Sequence, residues 1–103
     1  MYKLIKTSID NRQNAKLIID KILSKGLSPC VQLIDNVRSF YRWKDKIEDS
    51  VEFLILIKCE ARNESAIIEV LLKEHAYEVP EIVVSEFDIL NPDYRDWFEE
   101  NSR

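Results

Sequence analysis

The chain has almost no glycine: Gly26 is the only one. Loops that cradle phosphates need several glycines for close backbone approach, so that class of nucleotide site is excluded. An excess of positive charge is missing too, since 15 Lys and Arg stand against 19 Asp and Glu and the net charge is -4. Non-specific nucleic-acid binding rests on a positive surface, so no nucleic-acid partner is expected. No apolar run approaches the roughly 20 residues that span a bilayer, which argues against a membrane partner. Met1 to Lys6 lacks the long apolar segment of a secretion signal. The two cysteines, Cys30 and Cys59, lack CxxC spacing and are expected as reduced thiols. These absences together lead to the expectation of a cytoplasmic protein. No nucleophile–base pair and no metal motif of standard spacing is present, so the expectation is a non-enzyme.

What is present suffices for one core. Apolar residues make up 46% of 103 residues, which reads as a single domain spanning 1–103. A domain this small gains from further burial through oligomerisation. Tyr2 to Thr7 reads as a first strand. Ser8 or Asp10 is expected to cap the helix that follows, where Ala15, Ile18, Ile19, Ile22 and Leu23 recur at helical steps. Gly26 stands where a glycine stops a helix. Cys30 to Trp43 and Ile47 to Cys59 read as two long strands joined by a turn at Trp43-Lys44-Asp45-Lys46. Asn63 is expected to cap a second helix, with Ile67, Ile68, Leu71 and Leu72 buried. Ile82 to Phe87 reads as a strand. Asn91-Pro92-Asp93 starts a last short helix carrying Tyr94, Trp97 and Phe98 on one face.

The order β-α-β-β-α-β plus a short helix predicts an α+β, ferredoxin-like fold with an antiparallel sheet. Both long helices then cover one face of the sheet and leave the other open. Leu54 and Leu56 fall on that open face, and exposed apolar patches mark interaction surfaces, so an oligomer joined through the sheet is expected.

The densest chemistry lies in His75-Ala76-Tyr77-Glu78-Val79-Pro80-Glu81-Ile82, which holds the only histidine. His75 fits two roles: a ligand for copper, zinc or nickel, with Glu78, Glu81 and Cys30 as companions, or a residue that satisfies the carbonyl end of a helix. Glu78 and Glu81 can share a cation, act as an acid/base pair, or bridge to Lys58 or Arg42 of a neighbouring chain. Cys30 and Cys59 lie equally far from the hairpin turn and fall opposite each other if the strands run without a slip. Aligned, they fit a two-thiolate site or, under oxidation, a disulfide; the other reading is two small buried hydrophobes. Phe40, Tyr41 and Trp43 serve as a ligand platform or as interface packing.

The same stretch resembles the His-Pro-Tyr-Glu-x-Pro-Glu-Ile signature of the CutA family, the divalent-cation-tolerance proteins. Pro29-Cys30-Val31 is similar to the family's Ala-Cys-Val, and Ser39-Phe40-Tyr41-Arg42-Trp43 to its Ser-x-Tyr-x-Trp. Glu52, Leu56, Lys58, Tyr94 and Trp97 also fall at family-like positions. Three departures stand out. Ala76 replaces the signature proline, which should loosen the corner. Lys44-Asp45-Lys46 lacks the usual turn glycine. Lys6 stands where some members carry a further cysteine proposed to hold copper, so that site does not carry over.

The resemblance implies a homotrimer, similar in architecture to the PII signalling proteins, that acts in divalent-cation (copper) tolerance without catalysis. The alternative it implies is a PII-like protein with a small ligand in the intersubunit cleft. Tyr77, Pro80, Lys58, Tyr41 and Trp43 are then expected to line that cleft, and His75, Glu78, Glu81 and Cys30 to supply weak metal ligands. The implied cofactor is copper or another divalent cation.

Overall fold

The computed structural model describes residues 2–103. Its elements are β1 (Tyr2–Ile9), α1 (Arg12–Ser24), β2 (Cys30–Trp43), β3 (Lys46–Glu60), a 3-10 turn (Ala61–Asn63), α2 (Glu64–Glu74), β4 (Val83–Phe87) and α3 (Pro92–Glu100). The sheet order is β2-β3-β1-β4 and every neighbouring pair is antiparallel. β1 and β2 therefore run parallel with β3 between them, which is the expected split βαβ arrangement.

The core follows from strand alternation. Ile5 and Thr7 of β1 lie opposite Ile57 and Ile55 of β3, and all four are fully buried on the face that α1 and α2 cover. The helices contribute Ala15, Ile18 and Ile22 from α1 and Ile67, Val70 and Leu71 from α2. Leu72, expected in that face, is 65% exposed, and Val70 is buried in its place.

Cap assignments change in detail. Asn11, not Ser8 or Asp10, caps α1: its Oδ1 accepts from the Asn14 amide at 2.9 Å. Ser8 lies inside β1. Gly26, with φ of 70°, closes α1: its N–H donates to the Leu23 carbonyl and that of Leu27 to the Ile22 carbonyl. Asn63 makes no side-chain cap, because the 3-10 turn already gives it helical backbone angles. Its Nδ2 instead donates to the Arg103 carbonyl at 3.1 Å. Asn91 caps α3 as expected.

β2 and β3 form a long hairpin. Its two-residue turn places Lys44 and Asp45 at φ of 51° and 65°. Both central residues are left-handed, the geometry that right-handed strand twist favours in a tight turn, reached here without glycine. Nearer the root, Asp35 and Asn36 stand opposite the single residue Phe53, a bulge with Asn36 at φ of 60°.

The face away from the helices is partly covered. Phe98 of α3 is fully buried against Tyr2 and Phe87, which point to that side. Trp97 stacks on Tyr94 and stays 43% exposed, so only part of the aromatic group docks the helix. Beyond α3, Leu4, Leu54 and Leu56 are half-buried, and Ile34 and Val83 are exposed. These five share one apolar face that the described residues leave uncovered.

Candidate functional site

Where the hairpin leaves the sheet, it faces the segment that joins α2 to β4. Between them lies a cleft of about 880 Å³. Tyr41 and Trp43 line it from β2, Ser50 and Glu52 from β3, Ser8 from the end of β1, and Tyr77 and Pro80 from the α2–β4 corner. Four of the five predicted cleft residues thus come together within one chain. Lys58 does not: it lies on the open sheet face, with Nζ 3.4 Å from the Tyr94 hydroxyl and 5.6 Å from its ring centre.

The cleft is acidic. Asp10, Glu48, Glu52, Glu78 and Glu81 line it, and no Lys, Arg or His does. Of these carboxylates, only Glu81 has an ion pair among the described residues, to Lys6 at 3.5 Å. Glu81 also accepts from the Ser8 hydroxyl at 3.3 Å. Glu52 is the buried one, 6% exposed, and its Oε2 accepts from the Tyr77 hydroxyl at 2.5 Å. Burial, followed by that bond to Glu52, pushes the Tyr77 hydroxyl well above the ordinary tyrosine range, so Tyr77 holds its proton.

His75 stands behind the cleft wall and does not line it. It is 9% exposed. Its Nδ1 accepts from the Tyr77 amide at 3.1 Å, so the proton sits on Nε2. Nε2 lies 3.0 Å from both the Ser8 carbonyl and the Thr7 hydroxyl. Its ring rests 4.9 Å from that of Tyr77. Desolvation by burial holds the imidazole below its ordinary pKa, against the Ser8 carbonyl and the Glu52 and Asp10 charges, which act to raise it. Both ring nitrogens are engaged, and neither offers a free lone pair to a metal or a proton acceptor to a substrate.

Asn14, which sequence patterning does not single out, clamps the same corner. Its Nδ2 donates to the Glu74 carbonyl at 2.8 Å, and its Oδ1 accepts from the Ala76 amide at 2.9 Å. Proline lacks that N–H. Ala76 therefore does not simply loosen the corner: it admits a hydrogen bond that the signature proline excludes. Lys21 adds an ion pair to Glu74 at 2.7 Å, and that bond lowers the Glu74 carboxyl pKa.

The expected metal set does not converge in one chain. Among the described residues no group of three or more His, Cys, Asp and Glu side chains is placed to hold a metal ion. Glu78 and Glu81 lie in the cleft, His75 is bonded internally, and Cys30 sits at the far end of β2. The two cysteines are not opposite each other either. The bulge shifts the register by one, so Cys30 pairs with Lys58 and points to the open face, while Cys59 is buried under the helices. Burial raises the Cys59 thiol to about 11.

Topology and cleft together define a ferredoxin-like α+β domain with an acidic, aromatic-walled cleft at the root of an extended hairpin. The family profile described as "CutA1 divalent ion tolerance protein" matches residues 3–101. The mouse protein named "Protein CutA" is 37% identical over 87 residues, covering 84% of this chain and 49% of that protein. The Thermus thermophilus "Divalent-cation tolerance protein CutA" is 28% identical over 102 residues, 99% of each chain. A solved structure of a Thermus thermophilus divalent cation tolerance protein superposes with a TM-score of 0.92 at 27% identity, covering 100% of both chains. That of the Shewanella protein titled "stable protein, CutA1" does so at 0.92 and 31% identity, covering 98% of this chain and 94% of that one. The chain spans about half the length of the mouse, frog, rice and human relatives it matches. It belongs to the CutA divalent-cation-tolerance family.

Proposed function

We propose that this protein acts in divalent-cation tolerance as a non-catalytic homotrimer that takes up copper-class ions at the carboxylates of its cleft. The carrying observation is the cleft's charge: five carboxylates line it and no basic residue does. Glu78 and Glu81 are its exposed ligands. One chain offers no convergent set of three ligands among its described residues, so a neighbouring copy completes the shell in this reading. Uptake is weak because only carboxylates are free, and the one imidazole is spent on the fold.

Shape supports assembly. The Cα radius of gyration is 14.4 Å, against about 12.8 Å for a compact domain of this length. The accessible surface is 6797 Å², against about 6,100 Å² for a monomer of this mass. The excess comes from the overhanging hairpin, and the bare face around Leu54 and Leu56 supplies the apolar area for association. The PII-like alternative fits the cleft poorly, because five carboxylates repel a phosphate-bearing effector. A cytoplasmic location is part of the proposal, since two free thiols on opposite faces suit a reducing compartment.

Sedimentation equilibrium and calorimetric titration with copper(II) test the reading. The expected results are a trimer, and copper binding that weakens in Glu78→Gln/Glu81→Gln by at least the roughly tenfold that loss of an outer-shell partner costs. A monomer at micromolar concentration, or unchanged copper affinity in the double variant, overturns it.

A further inference from the structure

We propose that the cleft also binds an organic cation, a primary ammonium or guanidinium group carried on an apolar body. The inference rests on the cation-accepting character of the cleft argued above and adds a ligand class to it.

Glu52 is the starting point. It is more than nine-tenths buried, it lines the cleft, and no ion pair among the described residues engages it. Its one protein hydrogen bond comes from Tyr77, on Oε2. A buried carboxylate held by a single neutral donor is short of a counter-charge. Its other oxygen is free to accept from a ligand. Asp10, Glu48 and Glu78 add to the same field, and among the described residues only Lys6, paired with Glu81, offsets part of it.

The rest of the lining says which kind of cation fits. A metal ion needs several ligands converging on one point, and the described residues of one chain gather no such group. The carboxylates are instead dispersed among rings. Tyr41 and Trp43 are 44% and 46% exposed, and both line the cleft with Tyr77. Aromatic faces do little for a hydrated metal ion but attract an organic cation and cover its apolar body. Carboxylates favour cations that donate hydrogen bonds, so a group bearing N–H is preferred over a quaternary one. The volume of about 880 Å³ accommodates a small molecule.

Calorimetry and thermal shift in chelator-treated buffer test this with phenethylammonium as the probe. Phenylacetate, 2-phenylethanol and the trimethylated ammonium serve as comparators of similar shape. Phenethylammonium is expected to bind saturably, to raise the melting temperature, and to weaken as salt rises. Phenylacetate and phenylethanol are expected not to bind, and the trimethylated probe to bind less tightly. Glu52→Gln is expected to weaken phenethylammonium by about tenfold, the size of one charge-assisted hydrogen bond. Glu48→Gln and Trp43→Leu, both on the exposed hairpin, also weaken it and guard against a folding defect at Glu52. Glu100→Gln on α3 leaves it unchanged. Equal binding of phenylacetate, no heat at millimolar probe, or affinity indifferent to Glu52→Gln and Glu48→Gln overturns the proposal. So does dissociation of the oligomer by the cleft variants without any probe binding, which assigns the missing cation to a neighbouring copy. Copper titrated in parallel separates the two readings: loss of amine binding alone overturns only this one.

Discussion

Lowering the pH is the cleanest perturbation of the corner behind the cleft, because His75 is the only histidine. Burial holds its imidazole below the ordinary value, against the Ser8 carbonyl and the Glu52 and Asp10 charges. The unfolded chain therefore takes up the proton first as pH falls, and linkage makes stability rise with pH in that range. The contribution of the neutral ring is complete above about pH 6.5 and is lost between there and the lower folded value. From pH 7.5 to 5.5 the loss is at most about 1.4 kcal/mol, reached if the folded ring stays neutral throughout. The geometry explains the resistance: a second proton on the ring would take the Nδ1 lone pair that now accepts the Tyr77 amide at 3.1 Å. Denaturant unfolding at both pH values, at one protein concentration and with chelator present, measures the loss. His75→Gln keeps a donor near the Ser8 carbonyl but cannot titrate, and the carboxylate background is common to both proteins. Wild type is expected to lose up to about 1.4 kcal/mol more than the variant. The single imidazole proton resonance should titrate with a midpoint below about 6.5. Equal losses in the two proteins, or a midpoint at or above that value, refutes the reasoning.

Asn14→Ala removes both hydrogen bonds that clamp residues 74 and 76 and should cost about 1–3 kcal/mol in denaturant unfolding; a loss too small to measure would show that the corner holds without it. Asp45→Gly relieves a left-handed residue in the hairpin turn and should stabilise by about 0.5–1 kcal/mol; destabilisation would contradict the assigned turn. With a thiol reagent at pH 8, Cys59 should react only on unfolding, since it is buried with its thiol raised to about 11. Fast modification of both cysteines would place Cys59 wrongly.

Periodicity and turn chemistry made the element order legible, along with the hairpin, the Gly26 stop and the Asn91 cap, because each depends on residues close in sequence. The intersubunit cleft of Tyr41, Trp43, Lys58, Tyr77 and Pro80 came from the family resemblance; one chain brings four of these together and leaves Lys58 on the open sheet face. What escaped depends on long-range geometry. Asn14 meets the corner across 60 positions, and no local pattern marks it. Glu52 follows a run of exposed hairpin residues in sequence, and its hydrogen bond to Tyr77 spans 25 positions. The type and position of the histidine fit either a metal ligand or a helix-end residue. The sequence does not show that Thr7, Ser8 and the Tyr77 amide already occupy both of its nitrogens.

The bulge at Asp35 and Asn36 was equally hidden, having no glycine to announce it. Its effect is that of a shifted reading frame. Below it, Cys30, Gln32 and Ile34 share a face with Leu54 and Leu56; above it, Ser39, Tyr41 and Trp43 take over that face, opposite Ser50, Glu48 and Lys46. With the frame unbroken, Arg38, Phe40 and Arg42 would turn toward the cleft instead, and two guanidinium groups would neutralise its carboxylates. The bulge, some distance from any ligand, thus chooses the sign of the charge the cleft will admit. Deleting Asn36 would remove the extra residue itself, restore plain alternation, and leave Ser39, Tyr41 and Trp43 opposite Ser50, Glu48 and Lys46.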